Sequence, residues 1–260
     1  MDPTMSEWMN LGFRWLHVIA GVMWIGHLYF FNFVNGKMAA ALDGEAKRKV
    51  VPQLMPRALY WFRWGAAWTW VTGVMLFGLV YSMGGAMVDM DSTWSPMAAS
   101  GLVFGVWIIG FLVYDVMWKT PLKNMPLGGT IASLILLAVV ARWLGTIITG
   151  RALFISIGAL LGTSMAANVW MRIWPAQKKI IAAVAAGEAP DGQKVALATL
   201  RSKHNTYMSV PLLFIMVSNH YPTMYGDANG WAWVTGMIAV GFVLTWLMYV
   251  KSGSAATTKY

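Results

Sequence analysis

The sequence predicts an all-α integral membrane protein, a polytopic bundle of about seven transmembrane helices. Hydrophobic residues make up 58% of the chain and charged residues only 11%, whereas a soluble domain of this length carries roughly 25% charged residues. The apolar residues lie in blocks of about twenty, the length at which a helix crosses ~30 Å of hydrocarbon. These blocks are continuous rather than alternating, which excludes the strand pattern of an outer-membrane barrel.

The apolar blocks are separated by segments that contain helix-breaking residues. Gly84 and Pro96 mark the second of these segments, and Pro175 follows the fifth block. Such residues end helices or begin turns. We therefore expect one transmembrane domain over residues 1–260, with spans near 8–34, 57–83, 97–118, 127–149, 151–174, 206–225 and 231–250.

Basic residues predict the orientation, because cytoplasmic loops retain Lys and Arg. The segments after spans one, three, five and seven are basic, and carry Lys37, Lys47, Arg48, Lys49, Arg57, Lys119, Lys123, Lys178, Lys179, Lys194, Arg201, Lys203, Lys251 and Lys259. The other segments hold Asp89, Asp91 and Asp227 against one basic residue, Arg151. This alternation places the N-terminus outside and the C-terminus in the cytoplasm. The first residues, MDPTMSEW, lack a basic region and a cleavage site, so we expect the first helix to be retained.

The net charge of +9 is explained by basic loops that face anionic lipid, and we expect no nucleic-acid partner. The longest cytoplasmic segment, 176–203, contains two amphipathic stretches separated by Gly187 and Pro190. These stretches are typical of an interfacial helix pair or a docking surface. Their sequence does not discriminate between an interfacial helix pair and a docking surface.

Four histidines are the first functional candidates, because strongly coordinating side chains are costly inside a membrane. His17 and His27 are ten residues apart in the first span, about 15 Å along a helix. His204 and His220 flank the sixth span, sixteen residues apart, or about 24 Å. The predicted orientation places His17 level with His220 on the outer side, and His27 level with His204 on the inner side.

Each pair of histidines can supply the axial imidazoles of a b-type haem, as facing helices of a bundle do. The chain has no cysteine, so it cannot attach haem covalently or form a disulfide. Helical geometry argues against two haems. The side chains of His17 and His27 are about 80° apart around the axis of their helix, and those of His204 and His220 are about 160° apart. A kink at Pro211 removes this conflict. The alternatives are one haem with two structural histidines, or histidines that only bridge helices by hydrogen bonds.

Three arginines are predicted towards the outer side. Arg14 precedes His17, Arg142 lies inside the fourth span, and Arg151 follows it. Arginine is a bidentate, permanently charged partner for carboxylates such as haem propionates. Arg142 either contacts a propionate or an anionic substrate, or extends to the membrane interface.

Two segments resemble a known family. RWLHVIAGVMWIG in the first span and RSKHNTYMSVPLLFIMVSNHYP in the sixth resemble the membrane domain of bacterial cytochrome-c-linked urate oxidase, the urate oxidase N-terminal domain family. The resemblance runs through nearly the whole chain. The motif positions are occupied by His17, His204, Asn205, Asn219 and His220, whereas His27 stands where the family allows other residues.

The resemblance implies a multi-pass protein of the bacterial inner membrane that oxidises urate. Stabilising the urate anion on the outer side is the role expected of Arg142, Arg151 and Asn219. In the family a further helix and a C-terminal cytochrome c follow the membrane domain. This chain ends with KSGSAATTKY and has no CxxCH, so we expect a separate cytochrome c or a respiratory membrane complex to accept the electrons.

The leading hypothesis is therefore a membrane oxidoreductase component that binds haem b and passes electrons to a cytochrome c or a quinone. A non-catalytic or copper-binding subunit, or an assembly factor of a respiratory complex, is the alternative. A transporter is less well supported, because the chain lacks the paired broken helices of inverted repeats.

Overall fold

The computed structural model describes residues 2–255, which contain helices and turns and no strand. Met1 and residues 256–260, with Lys259, lie outside the described residues. The all-helical prediction is confirmed. In chain order the α-helices are α1 (Pro3–Tyr29), α2 (Gly36–Ala41), α3 (Gly44–Phe77), α4 (Pro96–Met117), α5 (Pro126–Leu144), α6 (Gly150–Asn168), α7 (Trp174–Ala185), α8 (Gly192–Ser218), α9 (Pro222–Tyr225) and α10 (Gly230–Ala255).

Three π-helical turns interrupt or extend these helices. Phe30–Asn35 joins α1 to α2, Gly78–Ser82 extends α3, and Val169–Ile173 joins α6 to α7. A π-turn is wider than an α-turn and often lies at a functional site. A short 3₁₀ turn, Pro121–Asn124, precedes α5.

Six helical segments in residues 2–255 are long and apolar enough to span a membrane. They are Pro3–Ala41, Gly44–Ser82, Pro96–Met117, Pro126–Leu144, Gly150–Ala185 and Gly230–Gly253. The first half of α8 carries Lys194, Arg201 and Lys203, and α8 is not among the six. The chain is thus a multi-pass membrane protein.

The second predicted span begins earlier than expected. Pro52 and Pro56 favour a loop before residue 57, yet α3 runs from Gly44 through both prolines. The side chain of Asp43 accepts a hydrogen bond from the backbone nitrogen of Ala46 at 2.8 Å, as an N-terminal capping residue does. This cap gives the helix its start at Gly44, and the expected loop is reduced to a break between α2 and α3.

The sixth predicted span, 206–225, is also corrected. Helix α8 continues through Pro211 and ends at Ser218. Tyr221 has φ −124° and ψ 86°, outside the helical region, because the residue before a proline is sterically kept from it. Asn219 and His220 consequently lie in a turn between α8 and α9.

The described residues divide into two compact units. The first unit comprises residues 2–14, Thr72–Ser164 and Met208–Val243, and the second comprises Trp15–Val71, Met165–Tyr207 and residues 244–255. In the first unit, Phe77 and Phe104 pack against Trp107 with ring centroids 4.9 and 4.6 Å away. The indole of Trp107 donates to the backbone oxygen of Ser156 at 3.0 Å. In the second unit the buried side chains include Trp24, Leu28 and Phe62.

Close packing of α10 on α8 in the first unit gives a stability prediction. A Cβ on Gly241 would lie 2.7 Å from Cδ and 2.9 Å from the nitrogen of Pro211, whereas a Cβ on Gly236 would meet nothing within 4 Å. Gly241→Ala should therefore destabilise the protein by about 1–3 kcal/mol through overpacking. Thermal unfolding of the detergent-solubilised protein measures this effect.

Gly236→Ala is the matched control on the same helix. It should leave the unfolding temperature unchanged or slightly raised, since alanine favours a helix over glycine. Equal unfolding temperatures for the two variants would contradict the close approach of α10 to Pro211.

Candidate substrate and haem sites

A hydrogen-bonded group of three side chains lies in the first unit, centred on Asn219. The side-chain oxygen Oδ1 of Asn219 accepts from the Tyr81 hydroxyl at 2.9 Å and from Nε of Arg151 at 3.2 Å. Nδ2 of Asn219 is buried and has no hydrogen-bond partner in the described part of the chain. A buried donor without a partner is costly, so this amide fits a site that an external acceptor completes.

Local structure positions these three side chains. Tyr81 lies in the π-turn Gly78–Ser82 and its ring stacks on Phe77 at 5.3 Å. Arg151 is the second residue of α6. Gly150 precedes it, and a Cβ there would lie 1.8 Å from the backbone oxygen of Tyr225. Only glycine permits this approach of α6 to the segment that follows Asn219.

The group is electrostatically positive. Both Arg14 and Arg151 interact electrostatically with the Tyr81 hydroxyl. Arg14 is exposed and its Nε donates to the side-chain oxygen of Asn10. In residues 2–255 the ion pairs are Lys49 with Glu45 and Lys119 with Asp115, so neither arginine has a carboxylate partner there. Arg151 beside the amide donor, together with Arg14 acting electrostatically on Tyr81, forms a setting suited to an anion.

The third arginine candidate has different surroundings. Arg142 is in the last turn of α5, is exposed, and its guanidinium carbon lies 5.5 Å from the ring centroid of Trp231. This is a cation–π contact. Arg142 is not among the side chains hydrogen-bonded to Asn219.

Three of the four histidines belong to the second unit. His17 and His27 are on α1 and His204 is on α8, all half-buried, while His220 is exposed in the turn of the first unit. Nδ1 of His27 lies 2.7 Å from the backbone oxygen of Met23. That contact places the proton on Nδ1 and leaves Nε2 as the nitrogen able to bind a metal.

Imidazole nitrogens are donors that suit a haem iron, and His17, His27, His204 and His220 would supply them. No group of three or more His, Cys, Asp or Glu side chains that could hold a metal ion lies within the described residues.

Comparison with known proteins identifies the family. The model of the family described as "Urate oxidase N-terminal" matches residues 3–259. The chain belongs to the urate oxidase N-terminal family. No curated protein and no solved structure matches it. The resemblance inferred from the two segments of the first and sixth spans is thus confirmed.

The two candidate asparagines, Asn205 and Asn219, have different surroundings. Asn219 is in the positive group of the first unit. Asn205 is fully buried in the second unit, where its Oδ1 accepts from Nδ2 of Asn168 at 2.9 Å and its own Nδ2 donates to the backbone oxygen of Met165 at 3.0 Å. Asn205 therefore links α8 to α6 beside His204.

The structure also changes the phase argument for the sixth-span histidines. Since His220 follows the end of α8, its direction is not set by helical phase from His204. No kink at Pro211 is needed for the two histidines to serve different sites.

Tyr81 is the site residue that sequence analysis missed. It is one of nine tyrosines, and no motif or charge marks it. Its position at the end of the second span, on the same predicted outer side as Arg151, is the only signal that could have indicated it.

Proposed function

We propose that this urate oxidase N-terminal protein is a component of an oxidoreductase in the bacterial inner membrane, and that it oxidises urate at the group formed by Tyr81, Arg151 and Asn219. Haem b held by the histidines would supply one-electron transfer from urate to a separate cytochrome c or a quinone. The observation that carries the proposal is the positive group whose amide donor, Nδ2 of Asn219, has no partner in the described part of the chain.

The chemistry of urate matches this group. Urate is a planar anion with several carbonyl oxygens, and a guanidinium can donate to such an edge with two parallel hydrogen bonds. Arg151 supplies such a guanidinium. Tyr81 donates to Oδ1 of Asn219, which turns the Nδ2 donor of the amide towards the ligand.

The reaction is balanced by water and an electron acceptor. Urate and one water molecule give 5-hydroxyisourate, two protons and two electrons. The role of Arg151 and Asn219 is to bind and orient the anion and to stabilise negative charge on its oxygens as the ring is oxidised.

The histidines that would hold haem are His17, His204 and His220, which occupy family motif positions, and His27. When bound, haem b carries one electron at a time, which joins a two-electron oxidation to a one-electron carrier. The protein itself contributes the imidazoles and their orientation, as the contact of His27 with the backbone of Met23 illustrates.

A membrane assay tests the proposal. Membranes containing the protein, from a host without urate oxidase, are mixed anaerobically with soluble cytochrome c and urate. We expect cytochrome c reduction that depends on urate, with two cytochromes reduced per 5-hydroxyisourate formed. An N-methylated purine that is uncharged at neutral pH should give no reduction, since it offers Arg151 no negative charge. Absence of urate-dependent reduction of both cytochrome c and an added short-chain quinone, in membranes with full haem occupancy, would refute the proposal.

A further inference from the structure

A cavity of about 200 Å³ lies in the second unit. It is lined by Phe31 and Asn35 of the π-turn Phe30–Asn35, and by Ile173 at the end of the π-turn Val169–Ile173. Its volume is below the roughly 300–1,000 Å³ of sites that enclose a drug-sized ligand. Because the cavity is also partly open, it accommodates one ring of a ligand whose remainder extends outside.

The walls of the cavity suit an uncharged ring. Phe31 and Phe62 meet edge to face with centroids 5.3 Å apart, and Met55 lies beside them in the lining. No charged side chain lines the cavity. A buried anion without a counter-charge is strongly disfavoured, so this cavity is not suited to urate and needs a ligand of another class.

The polar side chains of the lining can donate hydrogen bonds. The hydroxyl oxygen of Ser202 accepts from Nδ2 of Asn32 at 2.9 Å, which leaves the hydroxyl hydrogen of Ser202 for another acceptor. Nδ2 of Asn35 donates to Sδ of Met55 at 3.5 Å, and a thioether is a weak acceptor. Gln177 also lines the cavity, and its side-chain amide is a further donor.

We propose that this cavity binds the headgroup of an isoprenoid quinone. The hydroxyl of Ser202 and the amides of Asn35 and Gln177 donate to the two carbonyl oxygens of the ring, Phe31 and Phe62 contact the ring, and the isoprenoid tail extends from the open side. This inference rests on the proposed function and names its electron acceptor. Two electrons and two protons convert the quinone to the quinol, the same numbers that oxidation of urate by water releases.

Direct binding of a short-chain ubiquinone to the purified, detergent-solubilised protein tests the inference. Isothermal titration should show saturable binding of one quinone per chain. Ala198 lines the cavity and is buried, whereas Ala196 is exposed on the same helix. Ala198→Leu fills the cavity and should weaken binding at least about tenfold, a loss on the order of 1.4 kcal/mol. Ala196→Leu should bind the quinone as the unmodified protein does.

A second variant keeps the test decisive if Ala198→Leu fails to fold. Gln177→Leu preserves the size of the side chain but removes its amide, and should weaken binding about three- to tenfold. No saturable binding to the folded protein would overturn the inference. Equal binding of an alkylbenzene, which has the same side chain but no carbonyl oxygens, would also overturn it and would assign the cavity to a lipid chain.

Failure of this inference is distinguishable from failure of the proposed function. Quinone binding is measured without urate, so a protein that binds quinone but does not oxidise urate supports the cavity assignment alone. A protein that reduces cytochrome c with urate but binds no quinone retains the proposed function and loses the quinone site.

Discussion

Replacing Arg151 by glutamine is expected to lower kcat/KM for urate at least about thirtyfold, while the protein remains folded. Arg151 is a half-buried cation whose Nε donates to Asn219, and it has no carboxylate partner in the described residues. Loss of one partner of a desolvated charge pair costs about 2–5 kcal/mol, and every 1.4 kcal/mol is roughly tenfold. Steady-state reduction of cytochrome c by urate measures the change.

Two further variants separate charge from geometry. Arg151→Lys keeps the charge but loses the planar guanidinium, and should recover activity to within about tenfold of the unmodified protein. Arg142→Gln removes a cation that stacks on Trp231 rather than bonding to Asn219, and its effect should be below about threefold. If Arg151→Gln retained activity within threefold, the group centred on Asn219 would not be the substrate site.

Replacing a histidine proposed to ligate haem by alanine is expected to remove the b-type α-band from the visible spectrum. Haem b bound as proposed would be held without covalent attachment, so its retention would depend on the iron–imidazole bond and on packing. His17→Ala, His204→Ala and His220→Ala each remove one of the proposed haem ligands. Pyridine haemochrome quantitation per mole of purified protein gives the haem content of each variant.

His27→Ala discriminates between one haem and two. With two haems, this variant loses about half of the haem, because the inner pair then lacks one axial ligand. With one haem, it retains all of it, and the contact of His27 with the backbone of Met23 is structural. Full haem content in all four variants would show that none of these histidines binds the iron.

The membrane character and the helical class were predictable because the length of an apolar run has to match the bilayer. The helix ends were not predictable to the same degree. The apolar run of the sixth span continues past Ser218, but the backbone before Pro222 leaves the helical region. At the start of α3 the opposite occurs, since the helix begins at Gly44 behind the cap at Asp43 and continues through both prolines.

The candidate site was predictable only in part. Arg151 and Asn219 were both expected on the outer side, and the structure joins them by a hydrogen bond. Tyr81, the third member of the group, lies in a π-turn. No local sequence pattern predicts a π-turn. The cavity in the second unit depends on the packing of four helical segments far apart in sequence, so periodicity along one helix carries no information about it.

The most direct test of the central claim is the visible spectrum of the oxidised, purified protein during anaerobic addition of urate. We predict that urate produces the same b-type α-band that dithionite produces, and that the Arg151→Gln variant responds to dithionite alone. A protein that shows the band with dithionite but not with urate would contradict urate as the electron donor. A folded protein with no band under either reductant, despite adequate haem supply, would contradict the haem-linked oxidoreductase as a whole.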